Sequence, residues 1–460
     1  MSEVKLSDLD IYKRIDAELF NKNYVLFKSA IQQMPYTTFA DECLIIRKGI
    51  FNVNSDCYTE KGVPFIRISD LNSMAIDTTN MVYIPSEIHK DNFKTELKRG
   101  DIVLSKTAIA AASIVNLDYC NVSQDIVAIK LKPNSKVLSH YVVVFLNTIY
   151  GKEQMQRRFT GNVQMHLNLE ECKKEVMIPV FSIQFQLKIR TLFERAILLR
   201  SQSRTIYLDT QKLLLMTLNL NNWQHNNHQV NVKSLKESFL SSDRLDAEYY
   251  LPMYEDLFNL LKQTEITRLG DVVAIQKSIE PGSDYYLSEG VPFVRVADLT
   301  IFGITKPSIY LDKEIFKDVI RPKKDTILMS KDGSIGIAYK VDKNEDFITS
   351  GAILHLQIIN DNILPDYLTL VLNSKIVQMQ AERDAGGSII QHWKPSEISN
   401  VVIPVLPMEK QQEISQLVQE SFRLRNESKR LLNVAKTAVE IAINEGEDTA
   451  MEYLKGNGNE

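Results

Sequence analysis

Gly62-Val-Pro-Phe-Ile-Arg-Ile-Ser-Asp-Leu71 returns 228 residues later as Gly290-Val-Pro-Phe-Val-Arg-Val-Ala-Asp-Leu299, with seven of ten positions identical. Similarity spreads outward from this pair. Arg14-Ile-Asp-Ala-Glu18 returns as Arg244-Leu-Asp-Ala-Glu248. Asp101-Ile-Val-Leu-Ser-Lys106 aligns with Asp325-Thr-Ile-Leu-Met-Ser-Lys331 if one residue is inserted. Tyr141 and Leu146-Asn147 match Tyr367 and Leu372-Asn373, and Gly161 matches Gly387. Ile178-Pro179 matches Ile403-Pro404, and Gln186 with Ile189 matches Gln411 with Ile414. The order is the same in both halves, and the offset drifts only from 230 to 225. The chain is therefore a tandem duplication. Its unit is far longer than a solenoid repeat, so each copy should hold a domain of its own.

Composition bounds the answer. The 460 residues are 44% apolar and 24% charged, which excludes a disordered chain, a collagen or a small disulfide scaffold. No run of about 18 uncharged apolar residues occurs, so no transmembrane helix is expected. Met-Ser-Glu-Val-Lys-Leu-Ser-Asp at the start has no apolar signal core, which predicts a cytoplasmic protein. Cys43, Cys57, Cys120 and Cys172 are widely spaced and read as reduced thiols, with no metal site. A net charge of −4 argues against a generally basic protein, yet leaves room for a local basic surface.

Each unit reads as two parts. The first is a run of short β-branched segments bounded by Gly, Pro and Asn, such as Val63 to Ser69, Gly100 to Ser105 and Ile126 to Leu131, interrupted by a helical stretch from Tyr141 to Gln156. That is an α+β domain. The second is a long helix starting after proline. Leu192, Ala196, Leu199, Ser203, Ile206, Thr210, Leu213 and Thr217 are spaced four, three, four, three. Leu417, Ser421, Leu424, Ser428, Leu431, Ala435, Ala438 and Ala442 repeat that register. Large and small residues alternate along both seams, which predicts an antiparallel coiled coil between the two helices. The expected boundaries are 1–182 for the first domain, 183–220 for its helix and 221–242 for a polar linker. The second domain spans 243–408, its helix 409–445, and 446–460 is a flexible tail. His225 and His228 lie in the linker and read as solvated.

Enzyme signatures are absent. No phosphate loop, dinucleotide turn, zinc-binding His-Glu-x-x-His or nucleophile elbow occurs, and Gly333-Ser-Ile-Gly336 lacks the lysine and hydroxyl of a nucleotide loop. The Asn/Asp-Pro-Pro-aromatic motif of amino-methyltransferases is also missing. The chain reads as a binding protein, not an enzyme.

The repeated strings, in this order, resemble the specificity (S) subunit of type I restriction-modification systems. They are the Gly-Val-Pro-Phe pair, Gly100-Asp-Ile-Val-Leu-Ser-Lys106 with its twin, Gly387-Ser-Ile-Ile-Gln-His392, and Ile403-Pro-Val-Leu-Pro-Met-Glu-Lys-Gln-Gln-Glu-Ile414. The resemblance spans about Arg14 to Glu445. Unit one departs from it at Lys106-Thr-Ala-Ile-Ala, where the family favours a glycine turn, and after Pro179, where a second proline and glutamate are missing. The resemblance implies two target recognition domains, each reading one half of a bipartite site on double-stranded DNA. The paired helices would set the spacing. Adenine-methyltransferase subunits would dock on the helices and a motor-nuclease subunit would join them, in phage defence. The chain itself would bind no cofactor; S-adenosylmethionine, ATP and Mg would belong to the partners.

DNA affinity comes largely from Lys and Arg on phosphates, and base reading from groups that match base edges. Loop candidates in unit one are Lys106, Thr107, Arg157, Arg158, Asn162, Gln164 and His166. In unit two they are Lys331, Asp332, Arg383, Ser388, Gln391, His392 and Lys394. Gln164 and Gln391 are the preferred base readers. Arg67 and Arg295, kept in both units, suit structure or phosphate binding better than base reading. The first helix carries six basic and two acidic residues, the second six of each. A helix of this length is about 50 Å long, somewhat over one turn of DNA. Other readings keep DNA recognition but serve a methylation-only or fused methyltransferase-nuclease system. A non-DNA coiled-coil scaffold, or a nuclease with scattered carboxylates, is also compatible with the residues.

Overall fold

The computed structural model describes residues 22–72, 74–78, 80–107, 111–160, 166–220, 230–386 and 391–458. The chain divides into two units, one formed by the residues before 201 with those after 425, the other by 201–425. Each long helix, Ile183–Thr217 and Met408–Glu445, contributes one segment to each unit.

In unit one, a six-stranded sheet has the order Cys43–Lys48, Ile126–Leu131, Ile102–Ser105, Ala112–Ile114, Ala75–Ile76, Leu71–Asn72. A four-stranded sheet runs Val82–Ile84, Val63–Ile66, Tyr119–Val122, Leu97–Lys98. The apolar helix Ser139–Leu146 has six consecutive buried residues. Its core is shared with Phe185, Ile189, Phe193 and Ala196 of the first long helix and with Leu431, Ala435, Ala438 and Ala442 of the second.

Unit two repeats the plan. Val273–Lys277, Ile353–Ile358, Ile327–Ser330 and Ala338–Lys340 form one sheet; Tyr310–Leu311, Val291–Val294 and Ile348–Thr349 form another. Tyr207 and Leu214 of the first long helix, with Leu218 just after it, share a core with Ile414 and Val418 of the second. Within each unit the two helix segments pack antiparallel.

The repeat residues explain themselves as backbone clips. Gly62 and Gly290 have φ of +156° and +133°, and a Cβ there would sit 2.4 Å from Ile84 O and 2.3 Å from Leu311 O. Only glycine fits so close a backbone approach. Asp70 and Asp298 accept from the backbone N–H of Arg67 and Arg295 at 2.8 and 2.9 Å. Tyr141 and Tyr367 donate to the carbonyls of Pro179 and Pro404, both at 2.8 Å. Gln186 and Gln411, both buried, accept from Leu138 N and Leu364 N and donate to two further carbonyls each. Each is a buried polar group whose bonds hold irregular backbone in place.

Three expectations change. The insertion near Asp325 disappears: Gly100 and Asp325 both have positive φ, +92° and +65°, and their N–H groups bond Val115 O and Val341 O alike. Asp325 therefore takes the place of Gly100, as aspartate tolerates the left-handed region, and Asp101 corresponds to Thr326. The seam of the first helix also drifts. Ala196, Ser203 and Thr210 are buried as read, but Ile206 and Leu213 are half-buried while Tyr207 and Leu214 face inward. A helix of 3.6 residues per turn walks about 20° per heptad off a strict seven-residue repeat. Finally, the tail expected to be flexible forms a helix, Glu447–Asn457, whose Ala450 and Leu454 enter the core of unit one. Glu447 accepts from Ser182 N at 2.9 Å at the start of the first long helix. The linker histidines and Arg14 to Glu18 lie outside the described residues.

Candidate nucleic-acid interface

Each unit brings two distant loops onto one small ladder. In unit one Thr107 bridges His166, Leu167 N donates to Lys106 O at 2.8 Å, and His166 pairs on its other side with Thr160. In unit two Asp332 bridges His392, Trp393 N donates to Lys331 O at 2.8 Å, and His392 pairs on its other side with Gly386. Lys106 N and Lys331 N both donate to the turn before the neighbouring strand, at Asp125 O and Ala352 O. The loops are thus held by backbone bonds that do not depend on which side chains project from them. Such a frame can carry different chemistry in each copy.

The side chains do differ. Lys106 Nζ lies 5.8 Å from the centroid of the exposed Phe51 ring. Burial, and then the nearby Lys48 charge, hold its ammonium below the ordinary lysine value. In unit two Lys331 Nζ bonds Asp332, and Asp332 Oδ1 accepts from His392 Nδ1 at 2.9 Å. Lys394 is exposed and 3.6 Å from Glu397, and Gln391 is exposed.

Other candidates are placed elsewhere. Arg158 is 2% exposed and donates to the carbonyls of Gln154 and Glu175, so in this fold it acts as an interior clip. Arg157 pairs with Glu153 at 2.6 Å and is largely covered. Arg383 pairs with Asp384 at 2.7 Å and stacks on Tyr249 and Phe258. Arg67 clamps Asp70 at 3.0 Å and donates to Asn80 O at 2.7 Å. Arg295 Nε is buried with no hydrogen-bond partner among the described residues. Asn162, Gln164 and Ser388 lie outside the described residues.

The sequence reading missed Lys48 and Lys277. Both are exposed, and they occupy matching places: Lys48 pairs with Val127, Lys277 with Leu354, each just after the turn that receives the Lys106 or Lys331 N–H. Strand pairing alone brings them there, so no local motif marks them.

Among the described residues no group of His, Cys, Asp and Glu could hold a metal ion. Burial pushes the thiols of Cys43, Cys120 and Cys172 up to about 12, far from nucleophilic. No described helix is long and apolar enough to cross a membrane.

Residues 262–434 match the family described as "Type I restriction modification DNA specificity domain", and unit one repeats the same clips and the same ladder. Over those residues the chain is similar to the DNA specificity domain of type I restriction-modification systems. No curated protein matches the chain. Among solved structures, the S subunit of a type I system from M. genitalium is 13% identical, covering 91% of this chain and 95% of its own, with a TM-score of 0.37. The HsdS subunit of Thermoanaerobacter tengcongensis is 16% identical over 90% of this chain and 97% of its own, with a TM-score of 0.29. A chain from a study of type I assembly and conformational transition is 15% identical over 90% and 98%, at 0.29. The match falls mostly in unit two, and the duplication extends the same bonds to unit one.

Proposed function

We propose that this chain is a type I specificity subunit that reads an interrupted word in double-stranded DNA, one half per unit, through the loops at the paired ladders. The observation that carries the reading is the recurrence of one backbone frame, Lys106-Thr107 against His166 and Lys331-Asp332 against His392, with different side chains on it. A shared frame with unlike side chains suits two unlike half-sites. Lys106, Lys331, Lys394, Lys48 and Lys277 supply charge toward phosphates, while Thr107, His166, Gln391 and His392 offer groups that match base edges. The long helices act as spacer, which places the half-sites about one helical turn apart. Adenine-methyltransferase subunits dock on the helices, a motor-nuclease subunit joins them, and S-adenosylmethionine, ATP and Mg reside on those partners in the cytoplasm.

Methylome sequencing of the source strain with and without this gene tests the reading. An interrupted motif that disappears on deletion is expected. An unchanged methylome, together with failure of the purified complex to prefer any duplex, would overturn it.

A further inference from the structure

Asp332 is out of place in a loop meant for phosphates, because a bare carboxylate repels them. Both of its oxygens are engaged. Oδ1 accepts from His392 Nδ1 at 2.9 Å, and Oδ2 accepts from Lys331 Nζ. Lys331 is 13% exposed, Asp332 22% and His392 63%, so the carboxylate lies deeper than the ring it holds. A carboxylate can only accept, so this bond places the ring proton on Nδ1. Nε2 is then the ring nitrogen not engaged by Asp332, and on a neutral ring it is an acceptor. Backbone bonds fix both ends of the arrangement: Asp332 bridges His392, and His392 exchanges bonds with Gly386 at 2.8 and 3.1 Å.

Unit one lacks this device on the same frame. Thr107 stands where unit two has Asp332. His166 Nδ1 is buried with no hydrogen-bond partner among the described residues, and Lys106 lies over Phe51.

Resting on the DNA reading above, we infer that His392 is a base-reading side chain of unit two and that Asp332 is its positioning residue. Asp332 holds the ring with Nε2 presented as an acceptor. Such an acceptor matches an exocyclic amine in the major groove, adenine N6 or cytosine N4. A ring held in one orientation discriminates better than a rotating one, since the cost of ordering it is already met in the free protein.

The test selects duplexes from a random library with the full chain and its copurifying methyltransferase, at about pH 8. Wild type, Asp332→Ala, Asp332→Asn and His392→Ala are compared. The wild type should return an interrupted word. His392→Ala and Asp332→Ala should lose about tenfold preference at the same adenine or cytosine position in one half, with the other half unchanged. Asp332→Asn keeps an acceptor for Nδ1–H and should restore that preference. If the wild type selects a word and Asp332→Ala selects the same one equally well, the inference fails and the general reading survives. If the wild type selects nothing, both fall. A second measurement needs no DNA: isotope-labelled histidine in the full chain should show His392 as the Nδ1–H tautomer, lost in Asp332→Ala. An Nε2–H ring indifferent to Asp332→Ala would overturn the positioning role.

Discussion

Ser203 and Ser421 meet in the interior of unit two, with their Oγ atoms 3.2 Å apart and Ser421 Oγ also bonding Ser203 O at 2.7 Å. Both are fully buried. A pair of small side chains at this point lets two helix backbones approach, and the hydroxyls satisfy each other where water is excluded. Replacing both by alanine removes donor and acceptor together and should be nearly neutral. Ser421→Leu forces extra volume into a filled seam and should cost about 1–3 kcal/mol. Urea unfolding of the two variants separates these outcomes; equal midpoints would contradict the close approach.

Gln186 and Gln411 each bond one backbone N–H and two carbonyls from the interior. Truncation to alanine strands those groups, so each should lose about 3 kcal/mol of stability. Limited proteolysis should show Gln186→Ala loosening unit one and Gln411→Ala loosening unit two. Cleavage spread evenly over both units would argue against the local role.

Gly290→Ala puts a methyl 2.3 Å from Leu311 O at a φ of +133°. Backbone strain and the clash add, and a loss of at least about 2 kcal/mol is expected. Thermal unfolding checks this, with the exposed Gly282→Ala, which meets no atom within 4 Å, as the tolerant control.

His355 is buried in the sheet of unit two, its Nε2 2.8 Å from Thr349 Oγ1, and burial lowers its pKa to about 4. An unfolded histidine titrates near 6.5, so the unfolded chain binds the extra proton first. Stability from the neutral ring is therefore complete above about pH 6.5 and falls as pH drops toward 4, by about 3 kcal/mol in all. In unit one the corresponding strand position is Ala128, which pairs with Val103 as His355 pairs with Leu328. His355→Val should flatten the acid limb of a pH-stability curve; the same slope in wild type and variant would place the titration elsewhere.

Lys48→Ala and Lys277→Ala should each weaken DNA binding without changing the selected word, and each should reduce the slope of log K against log salt by about one. Fluorescence anisotropy across a salt series measures both. An altered word would instead make either lysine a base reader.

Much of this architecture was legible in the residues because duplication prints the same structural needs twice. Gly62 with Gly290, Tyr141 with Tyr367 and Gln186 with Gln411 recur because irregular backbone demands those side chains in both units. The alternation of Leu with Ser and Ala likewise announced two helices built to approach each other. Other features depended on packing across long separations. Arg158 looked like a loop cation but is an interior clip, since Glu175 and Gln154 reach it only in the fold. Lys48 and Lys277 join the loops through strand pairing, not through any motif. The C-terminal helix reads as polar and glycine-containing, yet the apolar surface offered by unit one orders it.

Sequence alone thus established two sibling modules and their long helices, because periodicity and repetition are properties of a string. Which cation meets which carboxylate, and which histidine is aimed by Asp332, was decided by tertiary structure. Hydrogen bonds and ion pairs act over a few ångströms, and only folding brings residues sixty positions apart, such as Asp332 and His392, within that range.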